Sequence, residues 1–122
     1  MVTKDEQKEL PIPVEWRQTL HAVVECLVKN DHHSIGKIQL VSKLSEATSI
    51  QINSYIENYD EELISLPEDA WDSSVYVWQR GYWEVLVDLW TRNEGHSDLV
   101  LSVRVYEEQE SYRFEVQMVC VF

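Results

Sequence analysis

The sequence predicts an α+β fold in which two or three N-terminal helices pack on one face of a four-stranded antiparallel meander. Two observations carry this. Apolar residues recur at helical spacing up to about residue 60 and at alternate positions after Pro67. The chain is also 122 residues long with 44% hydrophobic residues, enough for one core and too short for two. Residues 1–13 read as a polar lead and 14–122 as a single domain.

Pro11 and Pro13 cannot continue a helix backwards, so the first helix is expected over 14–29. There Trp16, Leu20, Val23, Val24, Leu27 and Val28 share a face opposite Gln18, His21, Glu25 and Lys29. Asn30 to Ser34 break the pattern, and Ile35, Ile38, Val41 and Leu44 suggest a shorter helix over 34–45. Ile50, Ile52, Tyr55, Ile56 and Tyr59 suggest a third over 48–59, capped by Thr48 or Ser49, although Ile50 to Ile52 would also suit the start of a strand. Strands are expected at 74–79, 82–91, 98–106 and 111–121, with a turn at Gln79-Arg80-Gly81. Alternation puts Trp83, Val85, Val87 and Leu89 on the core face, leaving Glu84, Asp88, Trp90 and Tyr106 outward. In the last strand it puts Tyr112, Phe114, Val116, Met118, Cys120 and Phe122 on one side. Leu20, Val23, Leu27, Val85, Val87, Leu101, Val103, Phe114 and Val116 form the expected core.

Ten basic against 22 acidic residues give a net charge of -12, a field that repels phosphate backbones and anionic lipid surfaces. Direct nucleic-acid and membrane binding are therefore not expected. The first ten residues lack the apolar core of a secretory signal, and Ala22–Val28 and Val85–Trp90 fall well short of the roughly 18 residues of a membrane span. Cys26 and Cys120 build no disulfide framework. A cytoplasmic location is the expectation.

No spacing joins a nucleophile to a base. His32 and His33 are adjacent and diverge on a helix, while His21 and His96 have no triad partner in sequence. With only Gly36, Gly81 and Gly95 there is no phosphate-cradling loop. Glu84 and Asp88 are a conceivable acid/base pair, but Arg104 on the neighbouring strand is placed to pair with them. Neither enzyme activity, cofactor nor metal is expected.

The informative feature is charge placement. The 36 residues between Lys43 and Arg80 contain no Lys or Arg, yet hold Glu46, Glu57, Asp60, Glu61, Glu62, Glu68, Asp69 and Asp72. Carboxylates supply long-range steering toward a basic protein, and aromatics supply anchoring. The expected partner surface is Glu57, Asp60, Glu61, Glu62, Glu68, Asp69 and Asp72, with Tyr59 and Trp71 as anchors, Trp71 being alternatively a core residue. A solubilising acidic face is the plainer alternative.

Leu66-Pro67-Glu68-Asp69-Ala70-Trp71, the run Trp83 to Thr91, and Glu94 to Leu101 together resemble a family of small bacterial α+β domains of largely uncharacterised function. Some of its members resemble immunity proteins of contact-dependent growth inhibition and related toxin systems. The family usually has Arg where this chain has His96, a departure that bears on the turn. The resemblance implies an immunity protein that neutralises a cognate toxin domain, foremost a basic nuclease, by stoichiometric binding. It carries over no site residue. The alternative is a small regulatory or ligand-binding module using the outer sheet face around Trp90 and Tyr106.

Overall fold

The computed structural model describes residues 2–121. Its elements run β1 (Leu10–Pro11), α1 (Val14–Val28), a 3-10 helix (His32–Lys37), α2 (Glu46–Tyr59), β2 (Leu63–Ile64), α3 (Ala70–Ser73), β3 (Val75–Trp78), β4 (Trp83–Thr91), β5 (Gly95–Glu108) and β6 (Ser111–Val121). The α+β class is as expected. Four strands are not the whole sheet, because two short ones join it: β1 pairs β3 at Leu10–Tyr76, and β2 pairs β4 at Leu63–Thr91. The path is β1-β3-β4-β5-β6, antiparallel throughout, with β2 beside the far end of β4.

Trp16, Leu20, Val23, Val24 and Leu27 make one buried stripe along α1 that lies over the inner sheet face. All the expected core residues are buried, among them Phe114 and Val85. The lead is not separate from the domain: Ile12 is buried, Val2 packs on the core, and Arg17 Nε donates to the Ile12 carbonyl at 3.0 Å.

The helix expected over 34–45 is a correction. Only His32–Lys37 is helical, as a 3-10 turn, and Leu40 adopts φ 72°. A left-handed residue cannot continue a helix. The chain turns there, and Ser42 N donates to Phe114 O while Phe114 N donates to Leu40 O, both at 2.8 Å. Gly36 permits the fold-back, since a Cβ there would lie 3.0 Å from Lys43 Cα. The next helix starts at Glu46 and not at 48, because Ser45 is the cap: its Oγ accepts from Thr48 N at 3.1 Å.

The last strand needs a second correction. The β5–β6 register shifts by one between Ser102–Met118 and Val103–Val116, so Gln117 is an extra residue in β6. A one-residue bulge reverses the side-chain alternation beyond it. Tyr112, Phe114 and Val116 do face α1, but Met118 and Cys120 lie on the outer face, and Val119 faces inward. Phe122, expected on the same side, lies outside the described residues. The shift between Asp88 and Trp90 in the β4–β5 pair is by two, which preserves parity. There Ser97 Oγ donates to Leu89 O at 2.7 Å and accepts from Leu99 N at 3.1 Å, satisfying backbone groups that the ladder leaves open.

Truncating Phe114 or Leu27 to Ala should each cost about 2–5 kcal/mol through lost burial plus a residual cavity, measured by urea unfolding. A loss near zero contradicts the packing. Gln109 and Glu110 both take positive φ, 41° and 66°, in the two-residue loop between Glu108 and Ser111. Replacing them with Asn-Gly, which such a turn favours, should stabilise by about 1 kcal/mol. An unchanged or lower thermal midpoint would count against this turn geometry.

Candidate functional site

Within the base-free stretch, local chemistry first ends α2. Asp60 takes φ 56° as its C-cap, a left-handed stop, and the chain crosses directly to β2. Because β2 pairs with the C-terminal end of β4, the β4–β5 turn is brought beside the end of α2. Arg92 N donates to Glu62 O at 2.9 Å, and Arg92 Nε and Nη2 donate to the two Glu62 carboxylate oxygens at 3.0 Å each. Asn93 Nδ2 donates to Glu61 Oε2 at 3.1 Å. Tyr59 OH accepts from Asp98 N at 3.1 Å, and Thr91 Oγ1 donates to Glu94 Oε1 at 3.1 Å.

The result is an acidic corner. Glu57, Asp60, Glu61 and Glu62, with Ile56 and Asn93, line an open depression of about 450 Å³. Glu94 and Asp98 stand near enough to the Tyr59 phenol to affect its titration. Hydrogen bonding and charge from Arg92 hold the Glu62 carboxyl below the usual carboxylate range. Burial, reinforced by Glu94, pushes the Tyr59 hydroxyl up. A preorganised set of carboxylates with one bidentate arginine presents an anionic surface but no nucleophile with an adjacent base.

Tertiary structure divides the expected surface. Glu57, Asp60, Glu61 and Glu62 are brought together, whereas exposed Glu68, Asp69 and Asp72 sit on or beside α3. Tyr59 is half-buried, with its hydroxyl committed to backbone. Trp71 is not an accessible anchor: it is 6% exposed within the main core, with the Arg17 guanidinium 5.6 Å from its ring. It serves the fold because α3 turns it inward just before β3. Glu94 and Asp98 were missed by the charge pattern, since Arg80 and Arg92 precede them in sequence. Only the β2–β4 pairing makes them neighbours of the stretch.

The histidines and other charges occupy other places. His32 Nδ1 lies 3.2 Å from Ser49 Oγ, tying the 3-10 helix to α2, while His21 and His33 are exposed. His96 stacks on Trp90 at 5.8 Å and its Nε2 lies 3.2 Å from Asp88 Oδ2. Arg104 is paired in register with Glu84, but its guanidinium sits 4.5 Å from the Tyr82 ring; among the described residues it makes no ion pair with Glu84 or Asp88. Among the described residues no three of His, Cys, Asp or Glu gather as a metal would require. Among the described residues no helix is long and apolar enough to cross a membrane.

In comparisons with known proteins, the model of one family, a domain of unknown function termed DUF7668, matches residues 24–122. The chain belongs to this family. The DUF7668 match takes in the last turn of α1, every strand from β2 onward and the whole acidic corner. Comparison with curated proteins and with solved structures gave no match.

Trp71→Ala should destabilise the domain by about 3–5 kcal/mol, read by urea unfolding; a folded variant of unchanged stability would return Trp71 to the surface. Arg92→Gln should raise the Glu62 pKa toward the ordinary carboxylate value, followed by NMR titration of the side-chain carboxyl. The depressed pKa stabilises the fold above the unfolded carboxyl pKa and is lost as pH falls through the folded one. The variant should therefore lose less stability on acidification than the parent. For Tyr59 the sign reverses: a raised phenol pKa favours the fold below the unfolded value, and that contribution is lost as pH rises through the folded one.

Proposed function

We propose that the chain binds a basic protein stoichiometrically and neutralises it, as an immunity protein does for a cognate toxin domain, foremost a basic nuclease. The observation that supports this is the acidic corner, where Glu57, Asp60, Glu61, Glu62, Glu94 and Asp98 converge with Arg92 as counter-ion. A toxin that grips nucleic acid carries a basic surface, and a clustered anionic surface competes with phosphate for it. The resemblance to immunity-type domains supplies the toxin context. Residues Glu57, Asp60 and Glu61 make no arginine contact among the described residues, so their field is directed outward.

A second reading has its own support. The outer sheet face carries Val75, Leu86, Val100, Met118 and Cys120 by alternation and register. Val100 and Cys120 are buried apart from the main core, and Met118 is exposed. A regulatory or ligand-binding module would use this face, between Trp90 at one end and Tyr106 at the other.

The test is co-expression with a toxin reading frame adjacent to the gene. The chain should restore growth, and the purified pair should form a one-to-one complex. Glu57→Lys, Asp60→Lys and Glu61→Lys together should slow association about tenfold at low salt and flatten its salt dependence, with little change in dissociation. An unaltered on-rate with full protection removes the corner from the interface. Absence of rescue by the unaltered chain removes the immunity reading altogether.

A further inference from the structure

At the opposite end of β4 from the acidic corner, the β3–β4 hairpin places two tryptophans across from one another. Trp78 is the register partner of Trp83, their ring centroids are 4.8 Å apart, and their planes are inclined by 58°. The faces of an indole are the negative part of its quadrupole and attract cations within about 6 Å. Lys4 Nζ lies 5.0 Å from the Trp78 ring and 5.7 Å from that of Trp83. It donates to Glu107 Oε1 at 3.0 Å. Two aromatic rings and a carboxylate around one ammonium is the set of contacts by which alkylammonium ions are recognised.

The Lys4 head group and the backbone that carries it are held by different contacts. Tight pairing of Trp78 with Trp83, and β5 beyond Trp83, set the aromatic walls and bring Glu107 alongside. The lysine segment is moored by backbone: Thr3 N donates to Tyr76 OH and Trp83 Nε1 donates to Thr3 O, each at 2.9 Å. Residues 2–9 contribute no strand or helix. The Lys4 and Glu107 side chains are 48% and 55% exposed, and an ion pair so exposed holds weakly. Withdrawal of the Lys4 head group therefore leaves the walls standing.

We propose that Trp78, Trp83 and Glu107 form an alkylammonium-binding site, filled in cis by Lys4 and open to the ammonium of a small quaternary amine or of a protein lysine when Lys4 withdraws. β4 separates this site from the acidic corner by roughly 26 Å at about 3.3 Å per residue. It stands whether or not the corner binds a toxin.

The experiment titrates the ¹⁵N-labelled full chain with tetramethylammonium chloride against matched sodium chloride, following the indole N–H signals of Trp83 and Trp78. Lys4→Ala should bind tetramethylammonium about two- to fivefold more tightly than the parent, the factor matching an exposed cation–π contact that no longer competes. In that background Trp78→Leu should abolish the shift and Glu107→Gln should weaken it. A second arm uses the peptide acetyl-Gly-Lys-Gly-amide: saturable binding identifies protein lysine as a ligand source, and binding of tetramethylammonium alone identifies a small quaternary amine. Equal binding by parent and Lys4→Ala, or a shift reproduced by sodium chloride, overturns the proposal. So does a Trp78→Leu variant, folded by circular dichroism, that still binds; should that variant unfold, undiminished binding by Glu107→Gln overturns it.

Discussion

Trp16 is the contact through which one helix is fastened to three strands. It is 1% exposed and meets Tyr76, Trp83, Tyr112 and Phe114 at centroid distances of 5.3–6.1 Å, each edge-to-face. Those partners belong to β3, β4 and β6, so a single side chain sets both the height and the direction of α1 over the sheet. Each such pair contributes about 0.5–1.5 kcal/mol beyond its buried area. The indole N–H has no hydrogen-bonding partner among the described residues, and the surrounding aromatic rings are its environment. The N-terminal segment depends on the same cluster, because its moorings are Tyr76 and the indole of Trp83.

A sheet this exposed on one face must also protect its edges. On β6 two devices divide the work. Leu40–Ser42 bond to Phe114 near the start of the strand, and near its end the Gln51 amide both donates to Val119 O at 2.7 Å and accepts from Val119 N at 3.2 Å. The glutamine acts as a one-residue strand borne on a helix. At the other edge β1 covers β3, and Pro11, lacking an N–H, ends the ladder there. These closures leave the β4–β5 turn and the end of α2 as places where side chains face solvent without serving the sheet.

The two sites differ in how they arise. The acidic corner is assembled from a helix end, a two-residue strand and a turn, joined by the Arg92–Glu62 bidentate pair. The ammonium site is made by the β3–β4 hairpin with Glu107 of β5 and is filled by a lysine some seventy residues before the hairpin. One attracts cations through clustered carboxylates at high dielectric. The other does so chiefly through ring quadrupoles, which act only at contact.

By itself the sequence determined the class of fold, the face of α1 and most of the strand faces. Trp16, Leu20, Val23 and Leu27, and the alternation from Trp83 to Leu89, are periodic signals that local geometry imposes on a chain with one core to fill. It also fixed the density of carboxylates from Glu57 to Asp72. What it did not contain locally were events with partners distant in sequence: the left-handed turn at Leu40, justified by bonding to Phe114; the extra residue at Gln117, which reverses Met118 and Cys120; and the inward rotation of Trp71. Glu94 and Asp98 entered the acidic corner for the same reason. Periodicity reports which side of an element is apolar, because that depends on each residue and its near neighbours. Register, edge pairing and the company of a surface carboxylate depend on which distant segment lies alongside, and only the packed chain decides that.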